Sequence, residues 1–244
     1  MMPTPTSSSL ATFVRARLSP DGYLGLSLTL GALALLVAGV IFGNIAEDVM
    51  TADSITLLDV QVSRWFHAHA TPLLTQLMLA VTHAHSTPGI LLLGALFGFW
   101  LARRKEWGWV LTLLVSVPGG MLVNVMLKQV FQRARPSFDD PLLTLATYSF
   151  PSGHAAAATL LYGVWAAWML GRSTHWRWRI AIVVLAVAMV ALVGISRVYL
   201  GVHYPSDVLA AMASSSGWLA ISLTAMATWR QRTRHRLARN QSGA

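Results

Sequence analysis

The chain has no cysteine. That excludes a disulfide frame, a thiolate metal site and a cysteine nucleophile, and leaves the compartment undecided on redox grounds. Charge is scarce as well: Asp, Glu, Lys and Arg make up 11% of the 244 residues, against roughly 25% in ordinary soluble domains. Acidic residues are the scarcer sign, 9 against 18 Lys and Arg. Apolar residues fill the gap, 55% of the chain, in runs that suit a bilayer, where each span needs about 20 mostly apolar residues to cross about 30 Å of hydrocarbon. The sequence therefore reads as an all-α, polytopic membrane helical bundle of one domain. A formal charge of +9 could suit nucleic acid, but the basic residues cluster between apolar runs instead of lining one soluble face. Membrane topology accounts for them, and no nucleic-acid partner is expected.

Six transmembrane helices are predicted, from about Tyr23 to Ala46, Ser86 to Leu101, Trp107 to Leu127, Gly153 to Leu170, Trp178 to Ser196 and Ser206 to Trp229. Residues 1–20, rich in Ser, Thr and Pro, read as a disordered cytoplasmic tail with no cleavable signal. Residues 21–230 form the six-span domain, and 231–244 a basic cytoplasmic tail. Between the first two spans, Ile55 to His85 mixes Leu57, Leu58, Val60, Val62, Trp65 and Phe66 with Asp59, Arg64, His67 and His69. That pattern predicts an interfacial amphipathic helix. Pro118-Gly119-Gly120 should kink the third span. Small residues there and at Ser214-Ser215-Ser216-Gly217 suit close helix packing, and Trp107, Trp109, Trp176, Trp178 and Trp229 suit the headgroup level.

The cations set the topology, because short cytoplasmic loops carry excess Lys and Arg. An inside N-terminus puts Arg15, Arg17, Arg103 to Lys105, Arg172, Arg177, Arg179 and the C-terminal arginines in the cytoplasm. Only Arg64, Lys128, Arg133, Arg135 and Arg197 are left outside. Both termini are then cytoplasmic, in a plasma (inner) membrane, and the loops at 128–150 and 197–205 face outwards.

Three clusters lie at those outer ends: Lys128 with Arg135-Pro136, the run Pro151-Ser152-Gly153-His154, and Ser196-Arg197 with His203 and Asp207. Phosphoryl transfer spreads charge over three equatorial oxygens, with nucleophile and leaving group in line, so its site needs fixed donors. Lys128, Arg135 and Arg197 are cations suited to a phosphate, arginine with bidentate geometry. Ser152 and the Gly153 amide open the fourth span, where unpaired amides and the helix dipole favour an anion. His203 reads as the nucleophile, with Asp207 holding one ring nitrogen. The pair is expected at a helix entrance, because Pro205 suits only a first turn. His154 is left as the acid for the leaving group and later the base for water.

Spaced as Lys-x6-Arg-Pro, Pro-Ser-Gly-His and Ser-Arg-x5-His-x3-Asp, these clusters resemble the three-part signature of the type 2 phosphatidic acid phosphatase family at every position. The resemblance implies the same assignments of His203, His154 and Asp207, a metal-free mechanism with no cofactor, and lipid phosphates such as undecaprenyl diphosphate, phosphatidylglycerol phosphate or phosphatidic acid as substrates.

Each residue also has a plainer reading. Lys128 or Arg135 alone would be a snorkelling anchor, Ser152 a helix cap, and His203 with Asp207 an interfacial pair; the joint motif outweighs all three. His67, His69, His83 and His85 invite a metal reading, but i, i+2 spacing puts neighbours on different helix faces. Asp139 and Asp140 could hold a cation but read better as solvated loop acids, and Arg133 reads as a surface charge, with the drawing in of anionic headgroups as the alternative. The expected function is a membrane phosphatase removing the terminal phosphate of a lipid phosphate or diphosphate at the outer face. The alternatives are a phosphotransferase to another lipid headgroup and, against the placing of charge at span ends, a non-catalytic lipid transporter.

Overall fold

The computed structural model describes residues 26–242, with side chains over 28–233. The N-terminal tail and the outermost C-terminal arginine side chains of the expected tails lie outside the described residues. The described residues form eight helices and no strand: α1 (Leu26–Thr51), α2 (Ser54–Ala68), α3 (Pro72–Ala84), α4 (Thr87–Arg103), α5 (Trp107–Phe131), α6 (Gly153–Leu170), α7 (Trp176–Tyr199) and α8 (Pro205–Ser242).

Among the described residues, α1, α5, α7 and α8 are each long and apolar enough to cross a membrane, and α3 with α4, bent by 56° at their junction, pass the same test as a pair. Alone, α4 has 17 residues. The central helix α6 opens on Gly153 and packs against α4, α5, α7 and α8. Its Ala155 to Leu161 run is buried. A helix enclosed by others gains its burial from protein, so it needs less lipid-facing apolar surface than a peripheral span. By contrast α1, which packs along α8, turns Leu30, Leu33, Leu36, Val40 and Ile41 outwards.

The expected single helix over Ile55 to His85 is two helices, α2 and α3. Pro72 takes the first position of α3, where its missing N–H costs nothing, whereas inside a longer helix it would remove a bond and clash with the preceding turn. Asp53 begins α2 by accepting from the Ser54 N–H at 2.6 Å. A second proline behaves differently: α5 runs through Pro118 without interruption. Next to it, Gly119 and Gly120 allow close approach. A Cβ on Gly120 would sit 2.5 Å from Leu160 Cδ1, and one on Gly119 would sit 2.6 Å from Trp218 Cζ2. Trp218 Nε1 donates to the Ser116 carbonyl at 3.1 Å, which ties α8 to α5 at that bend-prone point.

At the end of the bundle away from the motifs, Glu106 accepts from Arg172 and from Trp168 Nε1. This anchors the start of α5 to the end of α6, and at the other end the start of α6 at Gly153 lies beside Asn124 and Lys128 of α5.

Candidate active site

The three motif clusters converge. Lys128 ends α5, Ser152 and Gly153 open α6, Arg197 lies in the last turn of α7, and His203 and Asp207 flank the start of α8. The irregular chain of residues 132–152 closes over them. Its Ser149 donates to the Ala134 carbonyl at 2.9 Å, and the Ser152 N–H donates to the Asp207 carbonyl at 3.0 Å.

His203 is buried, 1% exposed, with Nδ1 3.2 Å from Asp207 Oδ2 and Nε2 3.2 Å from an Arg135 nitrogen. A guanidinium only donates and a carboxylate only accepts. Nδ1 therefore carries the proton and Nε2 the lone pair. Burial lowers the His203 pKa to about 3; Asp207 opposes this, while Arg135 and Arg197 add to it. The ring is neutral at physiological pH, the state a nucleophilic role would require. Pro205 occupies the first position of α8 and Asp207 its first turn, which is the helix-entrance arrangement expected for the pair.

The cations differ in what they have left to offer. Arg135 is engaged with the carbonyls of Thr147, Tyr148 and Val202 and with Thr147 Oγ1. Burial lowers its pKa, against the opposing pull of Asp207. Lys128 Nζ donates to the Tyr148 carbonyl at 2.7 Å and to that of Ser149 at 3.3 Å, which leaves one of its three N–H groups. Arg197 is 1% exposed and its side chain donates to Thr82 Oγ1 at 3.1 Å; its Nε and second terminal nitrogen have no partner among the described residues. Ser152 is fully buried, and its hydroxyl also has no partner among the described residues. Its backbone starts α6 but its side chain makes no capping bond, so the hydroxyl is free where a cap was anticipated. Unpartnered buried donors each cost about 1–3 kcal/mol. Buried donors of this kind suit an anion. His154, one residue into α6, lines a cavity of about 320 Å³ with Lys128 and Gly153, in the electrostatic field of Arg197, His203 and Arg135.

Three residues that the sequence reading passed over hold this arrangement. Asp59 of α2, read as part of a membrane-surface face, is 1% exposed. It accepts from Arg133 at 2.8 Å and from the Ser206 N–H at 2.9 Å, and it bonds the Ser206 hydroxyl. Arg133, read as a surface charge, has a side chain only 14% exposed and also donates to Asp207 Oδ1 at 2.7 Å and Ser206 Oγ at 2.8 Å. Burial would lower its pKa, but Asp207 and Asp59 outweigh that and raise it. Thr82 of α3 bonds both Ser196 and Arg197.

Three of the four histidines of the metal reading, His67, His69 and His85, go to separate partners. His67 stacks on Phe138 and pairs with Asp140 at 2.8 Å, holding that exposed carboxyl below its usual pKa. His69 stacks on Trp65, and His85 bonds Tyr162 Oη and the Val81 carbonyl. Among the described residues, no three His, Asp or Glu side chains group as metal ligands would.

The sequence pattern of the PAP2 superfamily matches residues 109–232, half of the chain and all three clusters. The chain belongs to that superfamily. Phosphatidylglycerophosphatase B of Bacillus subtilis is 38% identical over 146 residues, covering 57% of this chain and 68% of that one. Undecaprenyl-diphosphatase of Sulfolobus acidocaldarius is 35% identical over 114 residues, covering 45% and 48%. The crystal structure of a transmembrane PAP2 type phosphatidylglycerolphosphate phosphatase from Bacillus subtilis superposes with a TM-score of 0.64 at 32% identity, covering 78% of this chain and 93% of that one. The relatives are membrane lipid phosphatases, and with the apolar helices they make this PAP2 chain an integral membrane protein.

Proposed function

We propose that this PAP2 protein hydrolyses the terminal phosphate of a lipid phosphate or diphosphate through a phosphohistidine at the outer face of a six-span bundle. The observation that carries this reading is the fixed His203 ring, its Nδ1 on Asp207 and its Nε2 lone pair beside Arg135, next to the unpartnered donors of Arg197 and Ser152.

The terminal phosphate is bound by Arg197, the Ser152 hydroxyl, the Gly153 amide, Arg135 and Lys128. Nε2 of His203 attacks phosphorus as the P–O bond to the lipid breaks, and His154 gives its proton to the departing oxygen. Asp207 stabilises the charge that His203 gains. His154 holds that proton when the phosphate's negative charge is beside it. In the second step His154 takes a proton from water, the water oxygen attacks phosphorus, the P–N bond breaks, and phosphate leaves. Donors already aimed at the phosphate need no reorganisation during reaction, which is the largest saving such a site offers. With six spans both termini are cytoplasmic, and the lipid reaches the site sideways, its tail still in hydrocarbon.

The test is phosphate release by the protein in detergent, from undecaprenyl diphosphate, phosphatidylglycerol phosphate and phosphatidic acid, with and without EDTA. His203→Ala and His154→Ala should each lose at least about 100-fold in kcat, and EDTA should change nothing. Release that survives His203→Ala would sink the phosphohistidine route, and loss on chelation would sink the metal-free one. Tag accessibility in the 128–150 loop tests the sidedness.

The same residues serve a phosphotransferase that passes the phosphoryl group to another lipid headgroup. Release of phosphate without any added acceptor decides against it.

A further inference from the structure

Asn124 is a buried polar side chain that the chemistry above does not use. It is 4% exposed, and its Nδ2 has no partner among the described residues. It lies on α5 one turn before Lys128, on the same face. It also faces the start of α6: its Oδ1 is 3.5 Å from where a Cβ on Gly153 would sit. Asn124 lines the same 320 Å³ cavity as His154 and Lys128.

The side of the phosphate on which this cavity lies follows from its walls. His154 and Lys128 line it, whereas His203, Arg197 and Ser152 do not. Nucleophile and leaving oxygen stand on opposite sides of phosphorus in an in-line displacement. A terminal phosphate held by Arg197 and Ser152, attacked by His203 and protonated by His154, therefore projects its leaving group into this cavity. No carboxylate lines it. Its polar lining includes the Asn124 amide, without a partner among the described residues, together with Thr87, Gln129 and Thr147, while Met121 and Val125, on the same side of α5, continue it with apolar surface. Val125 is 52% exposed on the outside of the bundle, where a lipid tail can leave. The group that fits next to the scissile bond is thus an anion with several acceptor oxygens, followed by hydrocarbon.

Resting on the phosphatase reading, we infer that this cavity is a subsite for a second phosphate joined directly to the leaving oxygen, that Asn124 is its selecting residue, and that the preferred substrates are lipid diphosphates. In a monophosphate the alkyl carbon beyond the leaving oxygen stands where the second phosphorus would be and presents no acceptor to Asn124 there. One hydrogen bond to an ionised group is lost with the amide, which corresponds to about tenfold to a hundredfold in kcat/KM.

The experiment compares farnesyl diphosphate with farnesyl monophosphate, which share one tail, on the full-length protein in detergent micelles. For Asn124→Ala the ratio of diphosphate to monophosphate kcat/KM should fall about tenfold or more, and for Asn124→Asp, which sets a charge against the second phosphate, it should fall further. A ratio within about twofold of the wild type in both variants overturns the subsite, whether both activities drop together or neither drops. Residual monophosphate turnover shows that a variant is folded; if the alanine variant has none, the aspartate ratio alone decides. Wild-type protein that releases phosphate from neither compound overturns the phosphatase reading and the subsite with it, whereas an unchanged ratio in active variants overturns the subsite alone.

Discussion

Arg133 donates to Asp207 at 2.7 Å and with its other terminal nitrogen holds Asp59 at 2.8 Å. One guanidinium thus bridges two buried carboxylates, and Tyr204 packs beneath it with its ring 4.4 Å from the guanidinium carbon. Asp207 has its second oxygen left for His203 and the Tyr204 N–H. A chain of contacts therefore runs from α2, through the 132–152 segment, to the histidine at the entrance of α8.

Arg133→Gln leaves Asp59 and Asp207 buried without a cation. Breaking a buried pair by removing one partner costs about 3–5 kcal/mol, so the unfolding temperature in detergent should fall well below that of the wild type. Asp59→Asn in the same chain removes one of the two stranded charges. The double variant should be less destabilised than the sum of the single ones. Additive losses in thermal unfolding would show that the two residues are not coupled.

The PAP2 clusters were legible in the sequence because each is a short run with a fixed spacing, and because phosphate chemistry explains every residue type in it. Helix positions were legible for a similar reason: the helix α6 runs from Gly153 to Leu170, the bounds expected for the fourth span, and α4 starts within a residue of its expected position, although neither helix alone is among those long and apolar enough to cross a membrane. Asp59 and Arg133 were not legible as a pair. A charge among apolar neighbours reads as the polar side of a surface helix, and only the fold shows that its partner, 74 residues away, is brought beside it. Thr82 was hidden in the same way, since a lone threonine carries no pattern. The break before α3 did have a signal: Pro72 follows a run whose amphipathic pattern, taken alone, continues past it.

Thr82 fixes one end of Arg197 and leaves its other nitrogens free. Thr82→Val keeps the shape but removes the acceptor. Arg197 then has one more unsatisfied donor and a less defined position, so phosphate binding should weaken by about 1–3 kcal/mol, read as a rise in KM or in the inhibition constant for vanadate. Unchanged values for both would mean that the helix end alone positions Arg197.

His203 gives a pH dependence whose sign can be worked out. Its folded pKa is about 3 against an ordinary 6.5, so between those values the unfolded chain binds a proton that the folded protein does not. Stability therefore falls as pH drops below about 6.5, by up to about 1.4 kcal/mol per unit from this group, and is independent of it at higher pH. In thermal unfolding from about pH 6.5 down to pH 4, His203→Gln should show a shallower fall than the wild type. Equal slopes would assign the acid sensitivity to other groups.

His154 should matter unequally for the two kinds of leaving group. A lipid monophosphate must expel an alkoxide, whose conjugate acid has a pKa near the ~15.7 of water. A diphosphate expels a phosphate monoester with a pKa of about 6. General acid help follows this difference. His154→Ala should therefore slow phosphoenzyme formation from phosphatidic acid by at least about 100-fold and from farnesyl diphosphate much less. Hydrolysis of the phosphohistidine still needs a base, and the variant lacks it. With farnesyl diphosphate labelled in its terminal phosphate, His154→Ala should thus accumulate label on the protein, lost in acid and retained in alkali as a phosphoramidate is, and His154→Ala/His203→Ala should carry none. Label that persists in the double variant would move the nucleophile away from His203. No label with either substrate, together with equal losses of turnover, would remove His154 from the second step.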